Sequence, residues 1–180
     1  DGGAITTDDE KLFKEVRLIR NYGKSENHLN NMQGINSRLD ELQAAFLSTK
    51  LKSLDDINQR RRSIAHKYID ELSEIESIIM PKINDYSLHA FHLFIVRHPE
   101  RKKFREELFD LGVETSIHYP IPPHLQKAYS YLNLIEGTLP ISETIHKECI
   151  SIPIYQTMNE EQISYVVSSI KKVTNKLLYN

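Results

Sequence analysis

The stretch Ala90–Val96 (AFHLFIV) constrains this chain most, because it is an unbroken apolar and aromatic run bounded by polar residues. A run of this kind predicts a strand covered on both faces. The residues immediately after it set the fold class. Pro99 opens a helix through Phe104, Leu108 and Leu111, and Gly112 ends it. Val113–Tyr119 (VETSIHY) reads as the next strand. A strand–helix–strand succession predicts a small α+β layer.

The covering helices are legible from their period. From Ser37 onward, Leu39, Leu42, Phe46 and Leu47 form an apolar stripe. A second helix, continuous with the first or separate from it, carries Ile57, Ile64, Tyr68 and Leu72. The closing helix from about Asn159 places Ile163, Val166, Val167, Ile170, Val173 and Leu177 at helical spacing, the pattern of an element packed on a sheet. Between these lie a short helix at His124–Leu132, a turn at Gly137, a helix at Ser142–Cys149 and a strand at Ser151–Ile152.

The opening residues form a separate piece. Gly2–Thr7 reads as a strand, and Thr7-Asp8-Asp9-Glu10 as a capping box that starts a helix to about Arg20. Leu12, Val16 and Ile19 share one face of that helix. Asn21–Ile35 has no period and is rich in Asn and Gly. Long loops in compact domains are uncommon and are either functional or mere excursions.

Charge and cysteine content narrow the partners. With 23 Lys+Arg against 25 Asp+Glu, no basic field exists to draw nucleic acid or an anionic membrane. No apolar run approaches the roughly 20 residues of a membrane helix. DGGAITTDDE has no basic region followed by an apolar one, so no signal peptide is expected in it. The lone Cys149 excludes an internal disulfide framework, favours a reducing, cytoplasmic setting, and reads as a buried structural thiol. His89 and His92 fall on opposite faces of a strand and do not suit a shared metal. The triplet Arg60-Arg61-Arg62 reads foremost as a solvated helix face, with an anion role as the lesser alternative.

Two clusters carry possible chemistry. In Asn36-Ser37-Arg38, a loop leads into a helix with an Arg in the first turn. Free amides and a guanidinium make an anion site, while plain N-capping with an Arg–acid pair explains the same residues equally well. In His118-Tyr119-Pro120-Ile121-Pro122-Pro123-His124, a proline-stiffened loop presents hydrogen-bonding groups suited to a polyhydroxylated ligand. The competing reading is a turn that only reverses the chain.

Three ordered blocks give the chain a resemblance: Asp1-Gly2-Gly3-Ala4-Ile5-Thr6-Thr7, Asn36 to Ala45, and His118-Tyr119-Pro120-Ile121-Pro122 with His124 and Gln126. With Arg20-Asn21-Tyr22-Gly23 before the loop, they resemble the C-terminal half of DegT/StrS-type nucleotide-sugar aminotransferases, fold-type I enzymes dependent on pyridoxal 5'-phosphate. The proline-rich block is most similar to enzymes that aminate a dTDP-3-keto-6-deoxyhexose. The resemblance implies transfer of an amino group from glutamate to a keto-sugar nucleotide, in a homodimer whose active site is shared across the interface. It implies that Asn36, with Arg38 beside it, reaches the cofactor phosphate of the neighbouring subunit. His118, Tyr119 and, less directly, His124 would lie near the sugar nucleotide. The Schiff-base lysine of such enzymes is expected a few residues upstream of Asp1, so no catalytic residue is assigned here. The 180-residue chain alone is expected to be inactive. By the same resemblance, residues 1–36 are a stub of the large α/β cofactor-binding domain, 37–77 a connecting helix or helix pair, and 78–180 the small α+β domain, its strands mostly antiparallel and covered by helices. A non-catalytic sugar-nucleotide-binding or dimerisation module is the alternative.

Overall fold

A computed structural model describes residues 2–27, 29–84 and 86–178. Asp1, the first residue of the opening block, lies outside them. The chain divides into two compact units, residues 1–54 and 55–180.

In the first unit, α1 (Glu10–Ile19) and α2 (Glu41–Leu51) flank the long loop. Asp9 caps α1, its carboxylate accepting from the Lys11 and Leu12 amides. The expected Thr7 cap is displaced by two residues, because Thr7 Oγ1 accepts from the Asp9 amide instead. Gly2–Thr7 forms no strand. Its β-branched residues favour extension, but among the described residues none pairs with them, and Ile5 is exposed. The helix expected from Ser37 begins at Glu41. A break at Lys52–Ser53 then separates α2 from α3 (Leu54–Leu72).

The long loop is ordered by backbone bonds. Tyr22 N–H donates to the Ile35 carbonyl (3.0 Å), Ile35 N–H to Ile19 (2.8 Å), and Ser37 N–H to Arg20 (2.9 Å). Gly34 is required where two stretches of this loop meet. A Cβ there would lie 2.3 Å from Gly23 N and 2.6 Å from the Ile19 carbonyl oxygen. The loop thus delivers Asn36 to a defined place beside Asn21, to which it is bridged.

In the second unit, β1 (Phe94–Arg97) and β2 (Cys149–Ile152) pair antiparallel, Phe94 opposite Ile152 and Arg97 opposite Cys149. Isolated bridges extend the ladder on both sides, Ile79 to Arg97 and Ser116 to Ser151. Phe94, Val96, Ile150 and Ile152 face a core built from α3, α4 (Arg101–Asp110) and α6 (Glu160–Leu178), through Tyr68, Leu72, Phe104, Leu108, Ile163 and Ile170. α5 (Pro140–Glu148) runs directly into β2. This mixture of helices and a small antiparallel sheet is the α+β class expected.

Several boundaries differ from the sequence reading. β1 starts at Phe94 rather than Ala90, because Phe91 takes a positive φ of 45° and its amide turns back to His89 Nδ1. Its alternate residues Ile95 and Arg97 are only half-buried, so one face is sealed and the other partly open. Val113–Tyr119 is not a strand beyond the Ser116 bridge. Arg105 takes the Thr115 carbonyl and hydroxyl, both at 3.0 Å, and competes with a ladder there. His124–Leu132 is two 3₁₀ segments, Pro123–Leu125 and Lys127–Leu132. Gly112, at φ 74°, ends α4 as expected.

Arg60 and Arg61 are structural. Arg60 donates to the Met158 carbonyl at 2.6 Å and pairs with Glu160. Arg61 Nη1 donates to the carbonyls of Phe91, His92 and Ile154. Cys149 is buried, as expected, with its thiol against the Tyr119 and His146 carbonyls. Among the described residues, no helix is long and apolar enough to cross a membrane.

Replacing Gly34 by Ala tests the loop geometry. Overpacking of this kind costs about 1–3 kcal/mol. Hydrogen exchange of the Tyr22 and Ile35 amides is expected to accelerate by roughly one to two orders of magnitude while amides of α6 are unchanged.

Candidate functional site

The first cluster forms at the exit of the long loop. Arg38 Nε donates to Asn36 Oδ1 at 2.9 Å, and the Arg38 guanidinium lies 5.8 Å from the centre of the Tyr22 ring. Arg20 Nε donates to the Ser37 carbonyl at 3.3 Å. Neither Asn36 nor Ser37 caps α2, since the cap position is Asp40 and it makes no side-chain cap bond. The capping explanation of these residues therefore lapses. What remains is a donor set. The Asn36 Nδ2 group and the terminal nitrogens of Arg38 make no hydrogen bond to protein among the described residues. Such a set fits a phosphate.

The second cluster lies in the unit formed by residues 55–180. A cleft of about 840 Å³ opens there, lined by His92, Thr115, Ser116, His118, Tyr155 and Tyr165 among others. This volume is within the range of small-molecule sites. Of the three predicted ligand residues, only His118 lines it. His118 Nδ1 lies 2.8 Å from Ser151 Oγ. Tyr119 adjoins it edge-on, 5.5 Å between ring centres, and is 64% exposed. His124 is not among the lining residues. It is buried, and its Nε2 lies 3.0 Å from Glu143 Oε1.

α5 holds the proline loop from beneath. His146 Nδ1 donates to the Tyr119 carbonyl at 2.7 Å. Glu143 accepts from the Gly137 amide at 2.8 Å and the Leu139 amide at 3.1 Å, besides its contact with His124. The Gly137 amide foremost, then the Leu139 amide and the His124 ring, hold the Glu143 carboxyl below the usual carboxylate range against the opposing effect of desolvation. At the C-terminal end of α5, Arg97 and Glu148 form a half-buried ion pair at 2.8 Å. Arg61 braces the rim, because two of its carbonyl partners, His92 and Ile154, belong to lining residues.

Arg61 is visible only as part of a basic triplet, and Ser151, Glu143 and His146 do not stand out as site residues in the sequence. Their types are common on surfaces, and nothing in local spacing marks them. The one available signal is indirect, since a loop with three prolines and few amides of its own needs side-chain anchors.

With both clusters placed, comparison with known proteins is decisive. A model of the DegT/DnrJ/EryC1/StrS aminotransferase family matches residues 1–171. The chain belongs to this family. It is 47% identical over 171 residues to dTDP-3-amino-3,6-dideoxy-alpha-D-galactopyranose transaminase of Aneurinibacillus thermoaerophilus, covering 95% of this chain and 46% of that protein. It is 36% identical to dTDP-3-amino-3,4,6-trideoxy-alpha-D-glucose transaminase of Streptomyces venezuelae, covering 96% of this chain and 45% of that one. Among solved structures, DesV of S. venezuelae in complex with a ketimine intermediate superposes with a TM-score of 0.89 at 34% identity, over 93% of this chain and 45% of that one. The chain thus spans about half the length of the family members it matches.

Glu143→Gln removes a carboxylate whose folded pKa is depressed, so its contribution is present above the unfolded value and lost as pH falls through the folded one. The variant is expected to melt below the wild type at neutral pH. That gap should narrow as pH is taken below about 4, as read by thermal denaturation across a pH series.

Proposed function

We propose that this chain is the C-terminal portion of a pyridoxal phosphate-dependent sugar aminotransferase that moves an amino group from glutamate to a dTDP-linked keto-deoxy sugar. The observation that carries this reading is the match over residues 1–171 together with 47% identity to a dTDP-sugar transaminase. The geometry supports it at both clusters.

Asn36 and Arg38 would hold the cofactor phosphate, since their free groups are donors only and the guanidinium supplies positive charge. In a homodimer with a shared active site, that phosphate belongs to the neighbouring subunit. When bound, the cofactor supplies an electron sink and carries the amino group between donor and acceptor. His118 and Tyr119 would orient the sugar nucleotide, His118 from within the cleft and Tyr119 from its exposed phenol. His124 would support the same loop from inside, through Glu143. Residues 1–36 would belong with a larger cofactor-binding domain, and the Schiff-base lysine would lie upstream. The lone buried thiol agrees with a cytoplasmic enzyme of surface-polysaccharide or antibiotic sugar synthesis.

The test uses the full-length protein with glutamate and a dTDP-3-keto-6-deoxyhexose. Amino sugar formation is expected. Asn36→Ala is expected to weaken retention of the cofactor, followed by its absorbance. His118→Ala is expected to raise KM for the sugar nucleotide about tenfold. Absence of amino transfer to any dTDP-linked keto-sugar would overturn the reading.

A further inference from the structure

His118 does not hold its own ring in place. Its only side-chain hydrogen-bonding partner among the described residues is Ser151 Oγ, 2.8 Å from Nδ1, and Ser151 Oγ has no other. Ser151 is buried at 6% exposure and lines the cleft beside His118. Its backbone is fixed from two sides. It lies opposite Ile95 in the ladder, and it exchanges two bonds with Ser116, Ser151 N–H to the Ser116 carbonyl at 2.8 Å and Ser116 N–H to the Ser151 carbonyl at 3.1 Å.

The backbone beneath His118 is secured separately. The Tyr119 carbonyl accepts from His146 Nδ1 and from the Cys149 thiol. With the main chain held, the remaining freedom of His118 is rotation of its side chain about two torsions. The Ser151 bond removes it. Nε2 is then the ring nitrogen without a protein partner among the described residues, on a side chain that lines the cleft.

We propose that Ser151 is a positioning residue for ligand recognition: it fixes the His118 imidazole through Nδ1, so that Nε2 is presented to a hydroxyl or phosphate oxygen of the bound sugar nucleotide. This rests on the reading that His118 contacts that substrate. Although Ser151 is itself a lining residue of the cleft, its role here is to position the ring. It acts by removing a rotational freedom that binding would otherwise have to quench.

The experiment is a double-mutant cycle in the full-length holoenzyme, reading KM for the sugar nucleotide and kcat separately. Ser151→Ala is expected to raise KM about 3- to 10-fold with kcat within about twofold. Ser151→Thr, which keeps the hydroxyl, should restore KM. The double variant Ser151→Ala/His118→Ala should be no worse than His118→Ala alone. Ser151→Cys, of similar volume and a weak donor, replaces the Ala variant if that one fails to fold. Additive effects of the two substitutions, or a Thr variant as impaired as the Ala variant, would overturn the positioning role and leave His118 as a ligand residue. If His118→Ala alone leaves KM unchanged, the substrate reading of His118 fails, and the role of Ser151 falls with it.

Discussion

The antiparallel register of β1 on β2 is the constraint on which the second unit depends. Pairing Phe94 with Ile152 and Val96 with Ile150 puts four large apolar residues on one face, beneath α3, α4 and α6. Because successive side chains alternate, the same register puts Ile95, Arg97, Cys149 and Ser151 on the other face. A slip of one residue would turn Ser151 into the core and an isoleucine toward the proline loop. Each of the buried large side chains stabilises the native register by about 1.5–3 kcal/mol. The polar bonds on the opposite face contribute roughly 0.5–1.5 kcal/mol each. The core therefore sets the register, and the site inherits its geometry from it.

The open face is organised by one contiguous stretch, α5 running into β2. Glu143, His146, Cys149 and Ser151 each reach the loop that carries His118, Tyr119 and His124. That loop contributes little regular structure of its own. Its prolines limit backbone freedom but remove donors, so its order comes from carbonyls and side chains engaged by α5 and β2. On the other face, burial pushes the Tyr68 phenol up from its ordinary value, and its hydroxyl donates to the Pro153 carbonyl at 2.8 Å. Tyr68 thus ties the core to Pro153, a residue that lines the cleft.

The legibility of the chain follows the range of the interactions involved. α4 ends at Gly112 because a left-handed stop is a local event, written in one residue. α6 is plain because seven of its residues are buried at helical spacing. Gly2–Thr7 looks like a strand and is not one for the opposite reason: β propensity is local, but a strand exists only if something pairs with it. The same holds for Val113–Tyr119, where Arg105 claims backbone groups that a ladder would have used. In the long loop, Gly23 and Gly34 are visible as glycines, yet the close approach that requires Gly34 involves Ile19 and Gly23, at a distance along the chain.

The residue order alone established the α+β class, the main helices, the Asn36-Arg38 and His118-Tyr119 clusters, and the family resemblance. These are carried by period, turn chemistry and short motifs, all of which are local. Tertiary structure decided which residues of those clusters meet. It placed His118 and not His124 in the lining of a cleft, and supplied Ser151 and Glu143 as their partners, whereas the Asn36–Arg38 bond spans only two positions and is local. Those pairings span 19 and 33 positions in the second unit. Contacts of that range arise only after the core has closed, and no local pattern of residues records them.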